Sequence, residues 1–285
     1  MTSRANNAAP RSARSPRRSR GAVVRPTPPQ ARPEEIDFSI AGQAEVTPYP
    51  IEWEPHTHPI HELLWVRSGV MTTGIGRERY TLPRNIGIWI PAGIEHHGRV
   101  SGGAEFQASF FNPETSTFNP RVPVCVEITP LLHELLVHLA QEDLGSAQRE
   151  RAEGLVFDLL APTAIPLNLP MPEDERLRPI AEALVADPAD PRGIEDWALS
   201  LGCSARTLAR AFESELDQTF GSWRQHARVH AALGSLSDGV SVAEAAASVG
   251  YHNASSFIAV FDRIMGTTPG RYRGARPARN GIANE

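Results

Sequence analysis

The sequence predicts a multidomain β + α chain: an N-terminal antiparallel barrel or jelly roll with trailing helices, then an all-α domain with two helix-turn-helix motifs joined by a linker helix. Three observations predict it. Between Ile36 and about Ile128, apolar residues alternate with small or polar ones in short runs, the period of half-buried strands. Between 194 and 273 the period becomes helical, and one pattern occurs twice. Between these regions lies a stretch, 162–172, with four prolines in eleven residues, which reads as an extended domain boundary.

Taken in order, residues 1–35 read as a disordered basic arm. Positions 1–33 hold eight arginines and no acid, a composition that buries little and contacts phosphate weakly. The arm lacks the apolar core of a secretory signal. Residues 36–128 form the predicted barrel. Ile86, Ile88 and Ile90 alternate with Gly87 and Trp89, Val122 to Val126 alternates loosely, and Gly69, Gly74 and Gly76 punctuate the runs at hairpin spacing. Such a barrel offers a ligand cavity.

Residues 129–160 read as two helices. Leu131-Leu132-x-x-Leu135-Leu136-x-x-Leu139 and Leu155-Val156-x-x-Leu159-Leu160 carry apolar stripes, each a face to be buried. The linker is 161–173, the second domain 174–276, and the tail 277–285. In that domain, Ile194 to Leu201 and Val242 to Val249 are short amphipathic helices, each stopped by a glycine, Gly202 or Gly250. A second helix follows each, with apolar residues four apart: Leu208 with Phe212, and Phe257 with Phe261. One face is thereby buried and the other is free to enter a groove. Phe220 to about Leu236 reads as one connecting helix, a rod of roughly 25 Å. With helix thickness added, this approaches the ~34 Å turn of B-DNA, so the pair implies a reader of successive major grooves.

The formal net charge of −5 neither supports nor excludes phosphate binding, because from Cys203 onward nine arginines face seven acids and the acid excess lies mid-chain. No run of about 18 apolar residues occurs, which excludes an ordinary membrane-spanning helix. The two cysteines, Cys125 and Cys203, read as free thiols in a reducing cytoplasm.

Ser204-x-Arg206-x-Leu208-x-Arg210-x-Phe212, Trp223-Arg224-x-x-Ala227-Arg228, Ala245-x-x-x-Val249-Gly250-Tyr251 and Thr268-Pro269-Gly270-Arg271-Tyr272-Arg273 closely resemble the DNA-binding domain of the AraC/XylS family of bacterial transcription regulators. The likeness covers about the last 100 residues. It implies a first recognition helix starting at Ser204, with Arg206, Thr207, Ala209 and Arg210 toward DNA and Arg224, Arg228 and Arg271 among the contacts. Arg206 and Arg210 project from one side, and arginine bonds bidentately to guanine; Arg210 paired with Glu213 on a solvated face is the bland alternative. It implies a second recognition helix presenting His252, Asn253, Ser255, Ser256 and Ala259, with Asn253 equally suited to an N-cap. None of those five carries a fixed positive charge. The first unit is therefore expected to discriminate sequence and the second to position the protein on the backbone.

His56-x-His58-x-x-x-Glu62, followed by Gly69, and Pro91-x-Gly93-x-x-His96 resemble the paired motifs of the cupin superfamily, in which three histidines and a glutamate bind a divalent metal. If 56–62 is extended, positions 56, 58 and 62 share one parity and His61 faces away. This donor set suits a divalent transition metal with open positions. The second motif departs from the pattern at Asn85, where a glycine is usual, and sensor barrels of AraC-type regulators commonly use a small organic ligand instead. The expectation is a cytoplasmic regulator of double-stranded DNA controlled by a small molecule or metal in a cupin-like barrel, touching RNA polymerase if it activates. The AraC resemblance implies that the 129–160 helices pair two chains into a homodimer, with packing back on the barrel as the alternative. The competing reading is a metal-dependent cupin enzyme carrying a DNA-binding domain.

Overall fold

The structure, a computed structural model, describes residues 23–25, 39–141, 144–163 and 167–274. Apart from 23–25, the expected basic arm lies outside them, as does the 277–285 tail. The N-terminal strands are β1 (Val23–Arg25), β2 (Ile40–Val46), β3 (Ile51–His56), β4 (His61–Ser68), β5 (Met71–Ile75), β6 (Glu78–Leu82), β7 (Ile86–Ile90), β8 (His96–Val100), β9 (Glu105–Phe111), β10 (Val124–Glu127) and β11 (Asn168–Pro170). They form two sheets, ordered β1-β3-β8-β5-β6-β11 and β10-β7-β4-β9-β2. Ile51, Met71 and Val100 of the first pack with Leu64, Ile88 and Phe106 of the second in one apolar core. The result is a jelly-roll-like sandwich of two separate sheets rather than a closed barrel.

The strand period of two explains the opposite face of the second sheet. Leu63 and Trp65 alternate with Leu64 and Val66, so they point away from the interior with Trp89 and Phe111. Helices α1 (Pro130–Leu139) and α2 (Ser146–Leu159) cover them with Leu132, Leu136, Leu139 and Val156. Thr129 caps α1 by accepting from the Leu132 N–H, and Pro130 opens its first turn. Packing back on the sandwich thus occupies one stripe of this helical pair. Leu131 and Leu155 remain 53% and 40% exposed.

Two stretches differ from the sequence expectation. Val23–Arg25, inside the arm expected to be disordered, runs parallel to β3, its Val23 N–H donating to Pro50 O and Arg25 pairing with Glu45. The described part of the proline-rich linker from 167 onward is extended, as expected, but not free. Its β11 pairs antiparallel with β6, from Asn168 opposite Tyr80 to Pro170 opposite Glu78. Prolines removed some donors, yet the Met171 N–H still donates to Arg77 O and Leu167 O accepts from Thr81 N.

The helical domain runs α3 (Arg178–Ala186), α4 (Ile194–Ser200), α5 (Ala205–Leu216), α6 (Phe220–Ser237), α7 (Val242–Ser248), α8 (Ala254–Met265) and α9 (Pro269–Gly274). Both helix-turn-helix units and the connecting helix appear where the periodicity puts them. Trp197, Leu208, Phe212 and Trp223 share one core. Ala245, Phe257 and Phe261 share another with Leu233 and Leu236, so α6 lends one end to each unit. Gly250 makes the turn of the second unit at φ +82°, where an L side chain is strained; an added Cβ would also lie 2.9 Å from Ala189 Cα. No helix among the described residues is long and apolar enough to cross a membrane.

The linker joins the two domains physically. Leu169 of β11 is buried in the core around Trp223, and Trp223 Nε1–H donates to Pro170 O at 2.7 Å. One strand therefore hydrogen-bonds to the sandwich along its backbone while anchoring its side chain among helices.

Candidate functional site

The outward face of α5 is open. Ser204 ends the turn as N-cap, accepting from the Thr207 N–H at 3.1 Å and meeting Thr207 Oγ1 at 2.8 Å, which fixes the helix start. Arg206, Thr207 and Arg210 are exposed and Ala209 half-buried. With Ala211 and Ser214 the two arginines and Thr207 line a concavity of about 340 Å³. Among the described residues no ion pair engages Arg206 or Arg210, including the Glu213 pairing. Their charges are unneutralised on the face that the buried Leu208–Phe212–Leu216 stripe leaves outward.

On α8, Phe257, Phe261 and Met265 are buried and Ser255, Ser256 and Ala259 are exposed, as are His252 and Asn253 just before it. Asn253 serves as N-cap, its Oδ1 accepting from the Ser255 N–H at 2.7 Å. The outward stripe also holds Arg263, one turn beyond Ala259 and exposed, donating to Gln225. Sequence reasoning passed over it, although the spacing of four from Ala259 was a readable signal.

Arg224 and Arg228, which the resemblance puts among the DNA contacts, are engaged by backbone carbonyls of the protein itself. Both are half-buried. Arg224 donates to the carbonyls of Arg192 and Asp190, and Arg228 to Pro188 O while its guanidinium lies 5.5 Å from the Tyr251 ring. The reason is the loop 187–193, whose carbonyls point at α6 and take up these donors. They tie the approach to the first unit to the turn of the second. Arg271 is exposed, its N–H on Thr268 Oγ1.

In the sandwich, the four motif residues converge. Ligand nitrogens of His56, His58 and His96 lie within 4.8 Å of one another. His58 Nε2 and His96 Nε2 each lie 3.1 Å from Glu62 Oε2. The route differs from one extended run: His56 ends β3, His58 sits in the turn before Pro59, and Glu62 lies on β4. His61 faces the other way, beside Trp89, with Nδ1 accepting from the Ala92 N–H.

Each of the three rings has Nδ1 against a backbone carbonyl: His56 on Glu54 O (2.7 Å), His58 on Ile60 O (2.7 Å), His96 on Ile94 O (3.0 Å). A carbonyl only accepts, so Nδ1 carries the hydrogen and a neutral ring leaves a lone pair on Nε2. Lone pairs of His58 and His96 beside a buried carboxylate require a proton or a cation between them. Burial pushes the Glu62 carboxyl up, but hydrogen bonds and charge from His58 and His96 outweigh it and bring it down to about 2. Burial lowers His96, yet its contact with Glu62 leaves it raised; His56 is lowered by burial. Three Nε2 atoms with carbonyl-anchored Nδ1–H and one ionised carboxylate match the donor set and outer-shell bonding of a divalent transition-metal site.

Two exposed recognition helices on one helical domain, strapped to a sandwich with an inward-facing polar cluster, define a DNA-binding transcription regulator with a ligand-binding domain. Residues 49–160 match the family model for an AraC-like ligand binding domain, and 197–275 that for a helix-turn-helix domain. The HTH-type transcriptional regulator NimR of Escherichia coli K12 is 29% identical over 221 residues, covering 76% of this chain and 81% of that one. The HTH-type transcriptional regulator RipA of Corynebacterium glutamicum is 28% identical over 212 residues, 74% of this chain and 61% of that one. Among solved structures, ToxT from Vibrio cholerae O395 is similar with TM-score 0.36 and 12% identity over 86% of this chain and 99% of that one. The C-terminal domain of AraT from Geobacillus stearothermophilus has TM-score 0.36 and 24% identity over 39% of this chain and 94% of that one. The chain belongs to the AraC family of transcription regulators.

Proposed function

We propose that this regulator is metal-responsive: a divalent transition metal held by His56, His58, Glu62 and His96 is its signal or the seat of its small-molecule effector, and α5 reads the operator. The observation that carries the reading is the shared Glu62 oxygen between two histidine Nε2 atoms whose Nδ1–H groups are committed to carbonyls. A bound metal would favour one arrangement of sandwich, linker and helical domain through differential affinity. Arg206 and Arg210 supply base readout, with Thr207 and Ala209 beside them; Ser255, Ser256, His252, Arg263 and Arg271 serve the backbone. The outward leucines 131 and 155 of α1 and α2 pair two copies, and the protein works in the cytoplasm without catalysing a reaction.

Metal analysis of protein purified without a histidine tag, beside His58→Ala, tests the metal. Stoichiometric metal in the wild type, lost in the variant together with the DNA response, is expected. A metal-free wild type with a normal effector response ends this reading. Turnover of an effector by the full chain would instead favour the enzyme reading.

A further inference from the structure

The two recognition helices end differently. α8 closes on Gly266 at φ +66°, the left-handed C-terminal geometry that glycine adopts without strain, and carries Arg263 in its last turn. α5 closes on Asp217, the one non-glycine residue with positive φ (53°) among the described residues. Its last turn holds no basic residue, and Glu213, Glu215 and Asp217 crowd carboxylates at the negative pole of the helix dipole. The first reader is poorly terminated by its own sequence.

The missing cation comes from the other domain. Arg77, in the two-residue turn between β5 and β6, directs Nη2 at the main-chain oxygen of Glu215 (3.2 Å) and at its Oε1 (3.4 Å). The last carbonyls of a helix lack intrahelical donors, so this arginine answers both an orphan acceptor and the dipole. Glu215 Oε1 also accepts from the backbone N–H groups of Glu173 and Asp174 at the end of the linker. On the sensing side, Ile75, two residues before Arg77, is the cross-strand partner of His96. Sandwich, linker and first recognition helix therefore meet at one carboxylate.

We propose that Arg77 is a positioning residue for DNA recognition: the sensing domain supplies the C-terminal cap of α5 across the domain boundary. The order of the first recognition helix then depends on the sandwich, whereas α8 terminates itself. The sensor governs its two readers unequally. This holds whatever occupies the histidine cluster.

Amide hydrogen exchange on the full chain tests it without DNA or effector. Arg77→Ala should speed exchange over 211–217 by about threefold or more and leave 254–265 unchanged, while Arg77→Lys keeps most of the protection. Adding Asp217→Gly to Arg77→Ala should restore it, because glycine relaxes the left-handed position without the sensor's cation. Affinity for a duplex selected from random DNA by the wild type should fall in Arg77→Ala and recover in the double variant. Unchanged exchange in α5, equal loosening of α8, or no recovery with Asp217→Gly would each overturn the proposal.

Discussion

Gly234 of α6 sits so close to Val70, in the turn between β4 and β5, that a Cβ built at 234 would lie 2.1 Å from Val70 Cγ2. The domains dock through this contact, and the side chain that glycine lacks is the space Val70 fills. In an isolated helix, alanine would gain about 1 kcal/mol over glycine. Here overpacking of about 1–3 kcal/mol opposes that gain, since a β-branched neighbour has few rotamers to retreat into. Gly234→Ala should lower the thermal midpoint or split unfolding into two transitions by calorimetry. Val70→Ala in the same chain should restore a single, higher transition.

The open face of α5 predicts where sequence discrimination lies. Arg210→Ala should cost about 1–3 kcal/mol of operator binding and relax preference at one position. Ser256→Ala should cost less, because α8 offers short polar groups there. Titration of selected duplexes at fixed salt measures both; a larger loss from Ser256→Ala would reverse the assignment.

Arg224 gives a different outcome, because its guanidinium is engaged by the carbonyls of Asp190 and Arg192. Arg224→Ala should reduce stability and leave the slope of log affinity against log salt unchanged. Loss of a true phosphate contact would flatten that slope by about 0.9. Chemical denaturation and binding at several salt concentrations separate the two.

The thiols should react unequally. Burial pushes the Cys125 thiol up to about 12, and thiolate is the reactive form, whereas Cys203 lies half-buried in the turn before α5. A colorimetric disulfide reagent at pH 8 should label one thiol in the native protein, assigned to Cys203 by peptide mapping, and both after denaturation. Fast native labelling of Cys125 would contradict its placement in β10.

Much of the recognition surface was legible because it depends on local period. Leu208 and Phe212, or Phe257 and Phe261, four apart, declare which side of a helix is buried, and Arg206 and Arg210 then fall on the other. The histidines and Glu62 were legible as a set, but their convergence runs through a turn at Pro59 that parity along one strand does not describe. The engagement of Arg224 and Arg228 within the protein was hidden for a related cause. Their partners are backbone carbonyls some thirty to forty positions away, and a carbonyl has no letter in the sequence.

The sequence by itself determined the two-domain division, both helix-turn-helix units, the connecting helix and the candidate ligand set, since each follows from spacing within a few residues. Only the tertiary structure decided that the linker is a strand of the sandwich, that Val70 and Gly234 interlock, and that Arg77 reaches Glu215. Those contacts join residues 138 and 164 positions apart, if Arg77 with Glu215 and Val70 with Gly234 are counted along the chain. Such pairings form only when both domains have folded and met, so no local propensity records them.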